Sequence, residues 1–431
     1  MTTALVAFAA LLALIFVRVP IAFAMAIVGV GGFALLRGVD PALELVGQVA
    51  RQTVLTSDLS VVPLFILMGN FVARSRLALE LYDAAHAFVG HFRGGLAMAT
   101  IIACGAFSSV CGSSLATAAT MVNVSLPAMR KKGYATSLAA ASVAAGGTLG
   151  NLIPPGTVTV LYGIMTNTNI GHLFIASIIP GLIAVLLLLA AIVWTTHFNP
   201  ALGPADRRAL WPERLRALVK VWGLLVLFAL VMGGIYLGVF TTTEAAGIGA
   251  FGGFMFALAK GTMTWRSLRD TLAATAITSA ALFFVLIGAM LLANFVDASG
   301  FSAAISQWLG ALKLPPLAVI GLIVVIYLLL GTALEGVSIV LLTVPIFLPV
   351  VTGLGLSPIW FGILVIVVTE ISLISPPVGL NYSIISNMVP DIPESEIIKG
   401  LYPFLVAELI LVAILTAFPS ITLLLVPSPI R

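Results

Sequence analysis

Charge is what this sequence has least of: 20 Lys and Arg and 16 Asp and Glu make up 8% of 431 residues, against roughly 25% in an ordinary soluble domain. So few charges cannot cover a water-soluble surface, and a soluble enzyme is excluded. Cysteine is nearly absent. Cys104 and Cys111 sit in one apolar segment and support neither a disulfide framework nor a metal site. The histidines His86, His91, His172 and His197 have no ligand spacing. No His-Glu-x-x-His or Gly-x-x-x-x-Gly-Lys-Ser/Thr run occurs, so intramembrane zinc proteolysis and direct ATP use find no support. The net charge of +4 is no nucleic-acid signature, because its meaning depends on which loops carry the cations. A cleaved signal peptide is not expected, since the first apolar run has no positive segment before it and flows through Arg18-Val19-Pro20 into the next.

What is abundant is apolar sequence, 61% of the chain, in runs near the roughly 20 residues that cross a bilayer as a helix. Spans are predicted near 3–17, 20–36, 54–72, 134–166 (interrupted), 173–195, 220–239, 242–259, 274–294, 358–388 (interrupted) and 400–424. Two stretches, 94–129 and 316–351, are too long for one crossing and have polar or Gly-rich centres at Cys111-Gly112-Ser113-Ser114 and Ala333-Leu334-Glu335-Gly336. Both read as re-entrant hairpins. The fold class is an all-α polytopic membrane protein.

Self-similarity at a separation near 222 residues organises the chain. Gly31-Gly32-Phe33 recurs as Gly252-Gly253-Phe254, and Asn70-Phe71-Val72 as Asn294-Phe295-Val296. Pro127 pairs with Pro349, Pro154-Pro155 with Pro376-Pro377, and Pro180 with Pro403. Five crossings and a hairpin per half is an odd number of crossings, so the second repeat (220–431) should lie upside-down to the first (1–198), joined by a cytoplasmic linker at 199–219. An inverted repeat of about 10 spans is the architecture of alternating-access secondary transporters, although channels can be duplicated too. Charge supports the topology. With both termini outside, Arg37, Arg51, Lys313 and Arg431 are the only Lys or Arg residues not on the cytoplasmic side. The first hairpin should then enter from the cytoplasm and the second from the periplasm. The stretch from Arg76 to His91 has an apolar face of Leu77, Leu81, Ala84, Ala85, Phe88 and Phe92. It reads as a surface helix, either a brace or an arm to a moving domain, with a counterpart near 301–312.

Non-helical backbone at membrane depth survives only where protein or a water-lined cavity satisfies it. The paired prolines in Gly150-Asn151-Leu152-Ile153-Pro154-Pro155 and Ser372-Leu373-Ile374-Ser375-Pro376-Pro377 remove amide donors and release carbonyls as ligands. Hydroxyls crowd the first tip at Ser108, Ser109, Ser113, Ser114 and Thr117; Gly331, Thr332, Glu335, Gly336 and Ser338 supply the second more sparsely. Neutral hydroxyl and carbonyl oxygens suit Na⁺, and helix N-termini at tips and breaks favour an anionic substrate. One tip and one break per repeat predicts two cation sites. Glu335 and Glu370 are costly at this depth and are functional candidates by default, with tip-capping and amide-bonding the structural alternatives. Glu244 and Glu408 read as structural.

The segment from Phe107 to Met129 with Cys-Gly-Ser-Ser-Leu-Ala-Thr, then Arg130-Lys131-Lys132-Gly133-Tyr134 and Gly150 to Pro155, resembles the large membrane subunit of the tripartite ATP-independent periplasmic (TRAP) transporters. So does Glu370 to Asn387. The likeness spans essentially the whole chain. It implies a bacterial inner-membrane, sodium-driven importer of organic anions such as C4-dicarboxylates or sialic acids, working as an elevator. It also implies a periplasmic substrate-binding protein and a small four-helix membrane subunit, here expected on a separate polypeptide, and no nucleic acid. Carried onto this chain, one Na⁺ site would use Ser109 or Ser113 with the carbonyls of Gly150, Ile153 and Pro155. The other would use Gly331, Thr332 and Gly336 with Ser372, Ser375 and Pro377. The polar residues Ser114, Thr117, Asn151, Glu335 and Asn381 are assigned to the substrate. The competing readings are a stand-alone anion carrier, a channel, and an intramembrane acid–base enzyme. The enzyme is disfavoured because the repeat gives Glu335 and Glu370 the non-acidic mates Ser113 and Thr148.

Overall fold

The computed structural model describes residues 2–427 except 312, 313, 333, 377 and 378. Among the described residues the chain is helical and contains no strand. It opens with α1 (Thr2–Phe16), α2 (Ile21–Arg37) and α3 (Val39–Leu55), followed by α4 (Val61–Arg74) and α5 (Leu77–Val89). The first predicted hairpin is α6 (Gly95–Cys111) and α7 (Ser114–Lys131). The first interrupted span is α8 (Thr136–Gly147), α9 (Leu149–Leu152) and α10 (Thr157–Thr166), and α11 (Ile170–Phe198) completes the half. After α12 (Trp211–Lys220) come α13 (Trp222–Tyr236), α14 (Thr242–Ala259), α15 (Trp265–Ala298) and α16 (Phe301–Ala311). The second hairpin is α17 (Pro316–Gly331) and α18 (Gly336–Gly353), the second interrupted span α19 (Pro358–Ser372) and α20 (Leu380–Met388), and α21 (Glu394–Ala417) and α22 (Pro419–Leu423) close the chain.

Helix length does not translate into a count of ten crossings. Among the described residues, α11, α15, α18 and α21 are each long and apolar enough to span a membrane singly, while the helices around the breaks are shorter. Two further differences from the sequence reading have one cause. The predicted span at 54–72 begins as α4 only at Val61, because α3 occupies Val39–Leu55 and a 3₁₀ turn at Ser57–Ser60 separates the two. Likewise the expected linker contains α12. Both unexpected helices carry charges, Asp40, Glu44 and Arg51 in α3 and Arg214, Arg216 and Lys220 in α12, so neither appears as an apolar run.

Glycine decides how closely the long helices approach. On α2, a Cβ at Gly29 would lie 2.6 Å from the Leu292 backbone, and on α15 a Cβ at Gly288 would lie 2.3 Å from the Ala22 carbonyl oxygen. The α2–α15 pair is thus notched from both sides, as expected where helices in lipid associate by close packing. The repeated motifs meet across the halves. Gly32 packs on the Phe295 ring of α15, while Gly253 of α14 packs on Phe71 of α4. Further in, α7 contacts α20 and α18 contacts α10.

Capping accounts for the helix starts near the surface. Thr241 and Glu244 form a reciprocal box at the start of α14, Glu244 Oε2 accepting from the Thr241 amide at 2.8 Å, so Glu244 is structural. The stretch read as a surface helix is helical as α5, which buries Leu77, Leu81, Ala84 and Ala85 against the protein. Phe88 and Phe92, assigned to the same apolar face, are largely exposed. Chain direction changes by 68° between α4 and α5 and by 51° between α12 and α13, and α12 lies against α5. Asp206 holds the preceding loop in place. It accepts from Lys132 Nζ at 2.9 Å and lies 3.2 Å from His86 Nε2, and the Lys132 hydrogen bond, then the Arg207 amide, holds its carboxyl below the usual range.

Candidate functional site

Each hairpin tip docks on the break in its own half. At the first tip Gly112 takes a left-handed conformation (φ 62°), a backbone state that glycine adopts without steric cost. Ser113 then caps α7 by accepting from the Ala116 amide at 3.4 Å. The Gly112 carbonyl accepts from both the Thr157 amide (3.1 Å) and the Thr157 hydroxyl (2.8 Å). Gly150 faces the Ser113–Ser114 backbone so closely that a Cβ there would lie 2.4 Å from Ser114 Cα, and a Cβ on Gly112 would lie 2.3 Å from the Pro155 carbonyl oxygen. At the second tip, Gly331 abuts Ser372 and Gly336 abuts Thr369. Pro377 lies outside the described residues.

The halves are joined through buried carboxylates and an amide. Glu370, 3% exposed, accepts from the Ser114 hydroxyl at 2.6 Å on Oε2 and from the Asn151 amide at 2.7 Å on Oε1; Asn151 also donates to Ser114 Oγ at 2.9 Å. The donors are therefore side chains of the other half rather than nearby backbone amides, the structural alternative read for Glu370. A second crossing joins Asn381 Nδ2 to the Ala144 carbonyl at 3.1 Å, and a third takes the Thr148 hydroxyl to Glu408 Oε1 at 2.9 Å. Buried carboxylates satisfied this way are tied to one arrangement of the surrounding helices.

Ser114, Asn151 and Glu370 border a cavity of about 240 Å³; Thr148, Asn381 and Glu408 do not. Ser113, Ser114, Asn151 and Thr157 line it from the first half, Glu335, Gly336 and Glu370 from the second, and Asn70 of α4 and Thr278 of α15 form its far wall. Among the described residues, Lys and Arg are absent from this lining. Glu335 sits at the N-cap position of α18, yet its side chain caps nothing, so the tip-capping alternative is not realised. A larger cavity, about 750 Å³, opens around Asn167, His172 and Thr241 and holds none of the expected site residues.

The other expected residues separate by position. Ser109, Thr332, Ser372 and Ser375 lie outside the cavity lining, and each hydroxyl donates to a carbonyl of its own helical turn, to Ala106 (2.7 Å), Leu329 (2.7 Å), Thr369 (2.5 Å) and Ile371 (2.8 Å). A hydroxyl that has given its proton away presents lone pairs, the state required of a cation ligand. Ile153 is extended at the end of α9, packed on Gly105 and Gly181. The Thr117 hydroxyl lies beside the Cys111 thiol. Asn381 Oδ1 is buried without a partner. Asn70, Thr157 and Thr278 were not singled out for site roles by the sequence reading; Asn70 was visible only as a member of the repeat.

Comparison with known proteins supplies the context. Residues 8–421 match the family described as tripartite ATP-independent periplasmic transporter, DctM component. A C4-dicarboxylate TRAP transporter large permease protein of Pseudomonas aeruginosa is 36% identical over 84% of this chain and 85% of its own. A sialic acid TRAP transporter large permease protein of Vibrio cholerae is 30% identical over 96% of each. An isethionate TRAP transporter permease of Oleidesulfovibrio alaskensis is 31% identical over 88% of this chain and 60% of its own. The crystal structure of the Alcanivorax borkumensis YdaH transporter has the same fold at a TM-score of 0.68, with 16% identity over 90% of each chain.

Proposed function

Since the chain belongs to the DctM-component family of tripartite ATP-independent periplasmic transporters, we propose that it is the sodium-coupled translocating subunit of an importer for a small organic acid. It is a multi-pass membrane permease and not an enzyme. In this reading a periplasmic binding protein delivers the acid, a separate small membrane subunit braces the scaffold, and the hairpins with the broken spans move as an elevator past α2, α4, α14 and α15. The observation that carries it is the cavity where both tips and both breaks converge, closed on its far side by α4 and α15. The reciprocal packing of Gly32 on Phe295 and Gly253 on Phe71 supports two halves related as an inverted repeat; the loop cations are what put both termini on the periplasmic side in this reading.

Two Na⁺ sites fit the chemistry at the docked tips. Carbonyls freed at the Pro-Pro breaks and hydroxyls whose protons are already committed offer neutral oxygens. Ser109 or Ser113 with Gly150, Ile153 and Pro155 would hold one ion, Ser109 being the hydroxyl there whose proton is already given to Ala106; Gly331, Thr332 and Gly336 with Ser372, Ser375 and Pro377 would hold the other. The acid would sit between them in the cavity against Ser114, Asn151 and Glu335, while Thr117 and Asn381, expected beside it, lie buried outside the cavity lining. Because the cavity lining has no Lys or Arg among the described residues, bound cations are what offsets the repulsion between Glu335, Glu370 and an anionic solute. A volume of about 240 Å³ is below the ~300–1,000 Å³ of pockets for drug-sized ligands, which favours a small acid over a nine-carbon sugar acid.

The test is uptake into proteoliposomes holding this chain and its small subunit. With an inward Na⁺ gradient and the binding protein, the acid should accumulate. Accumulation independent of either overturns the proposal, flux equally fast without a gradient identifies a channel, and accumulation without the binding protein identifies a stand-alone carrier.

A further inference from the structure

Arg214 of α12 is only 6% exposed, and among the described residues no carboxylate stands within ion-pair distance of it. Its Nε and Nη2 are buried without an acceptor. The guanidinium lies 5.6 Å from the Phe88 ring centroid and 5.2 Å from that of Trp211. Rings satisfy the faces of a guanidinium and leave its in-plane N–H groups wanting an oxygen. The nearest acid along the helix is already engaged, since Glu213 pairs with Arg207 at 2.9 Å and accepts from the Leu210 amide at 2.9 Å. In a chain with so few charges, an enclosed and unpaired cation points to a missing anion, because burying a lone charge is costly.

The surroundings say which anion. On its outer side α12 exposes Trp211 (66%), Leu215 (57%) and Val219 (67%), with Trp222 (59%) beginning the adjoining span α13. A basic amphipathic helix set at 51° to a following apolar helix lies in the membrane interface with its apolar side in the lipid. We infer that Arg214 receives the phosphate of an acidic phospholipid, its Nε–H and Nη2–H fork engaging two phosphate oxygens. The fork geometry matches phosphate, and the exposed Trp211 ring is the wall that yields to admit it. The lipid would then pin α12 to the arm helix α5, through Phe88. A free phosphate would satisfy the guanidinium but would leave the exposed apolar side of α12 unexplained. An acidic side chain of the small subunit is the remaining rival.

The experiment measures thermal stability of the complete two-subunit membrane complex in detergent, titrated with phosphatidylglycerol, with phosphatidylcholine or with inorganic phosphate. Phosphatidylglycerol should raise the melting temperature, and the other two should not. Arg214→Gln should weaken the phosphatidylglycerol response about tenfold, the loss of one charged bidentate contact, while Arg208→Gln, an exposed neighbour, should keep it. Should Arg214→Gln not fold, Arg214→Lys decides, since it keeps the charge and loses the planar fork; an undiminished response in that variant overturns the assignment. An equal response to inorganic phosphate assigns the site to a free anion and overturns the lipid. A response seen with this chain alone but lost in the complex gives Arg214 to the small subunit and overturns it as well.

Discussion

Asn151 and Glu370 are 219 positions apart in the sequence, and their side chains meet at 2.7 Å. With Ser114 on the other carboxylate oxygen at 2.6 Å, Glu370 ties the first hairpin and the first break to the helix that carries the second. If Ser114 and Asn151 bind the substrate as proposed, donors and interlock are the same groups: an acid that takes the Ser114 hydroxyl or the Asn151 amide must take it from Glu370.

Glu370→Gln tests that exchange. A carboxamide can keep one of the two hydrogen bonds but sets its own NH₂ against a donor. Removing a charged hydrogen bond costs about 1.5–3 kcal/mol, so binding-protein-dependent uptake should fall by about tenfold or more. Uptake at the wild-type rate, measured at equal membrane abundance, would remove Glu370 from the site.

The proposed cation coupling is separable from that network. Ser375 donates to the Ile371 carbonyl, which leaves its oxygen lone pairs for a cation. Ser375→Ala should raise the Na⁺ concentration for half-maximal uptake several-fold while the substrate dependence at saturating Na⁺ stays within about twofold, as for loss of one neutral ligand. An unchanged Na⁺ titration excludes the hydroxyl as a ligand.

Local pattern made the helix pairs and their breaks legible. The sequence reading placed the hairpins at 94–129 and 316–351, and the helices run Gly95–Lys131 and Pro316–Gly353 around their tips, because a polar tip between apolar arms is written in consecutive residues. The helices α3 and α12 were illegible to the same test, since amphipathic helices at a surface have no apolar run to find. The partners of Glu370 could not be read either. Nothing in its local sequence points 219 residues back to Asn151; only the packing of one half on the other brings them together. The repeat did hint at where such contacts concentrate, since Gly32 and Gly253 each face the repeated Phe of the opposite half.

Asp206 gives a pH expectation outside the transport path. Its folded pKa is lowered, first by the Lys132 hydrogen bond, so its contribution is complete above the unfolded value of about 3.9 and is lost only as pH falls through the folded one. Asp206→Asn should therefore lower the melting temperature at neutral pH and above, and the two curves should come together as pH falls from about 4 through the folded pKa of Asp206. Curves that stay apart in strong acid would contradict the clamp.

Gly150 is where sterics and function are most tightly joined. A methyl there would lie 2.4 Å from both Ser114 Cα and Ser114 N, backbone atoms that cannot rotate away as a side-chain end would, so the tip must lift off the break. Overpacking of this kind costs about 1–3 kcal/mol, and here the displaced backbone carries Ser114, the hydroxyl bonded to Glu370. Gly150→Ala should depress Na⁺-driven uptake at least as far as Glu370→Gln does, and the two changes combined should cost less than the sum of their separate effects, because each breaks the same Ser114 contact. Gly31→Ala on α2, where an added Cβ meets nothing within 4 Å, serves as the control and should leave uptake and abundance unchanged. If the effects of Gly150→Ala and Glu370→Gln simply add, the tip contact and the interhalf network are independent, and the coupling of docking to the Glu370 interlock fails.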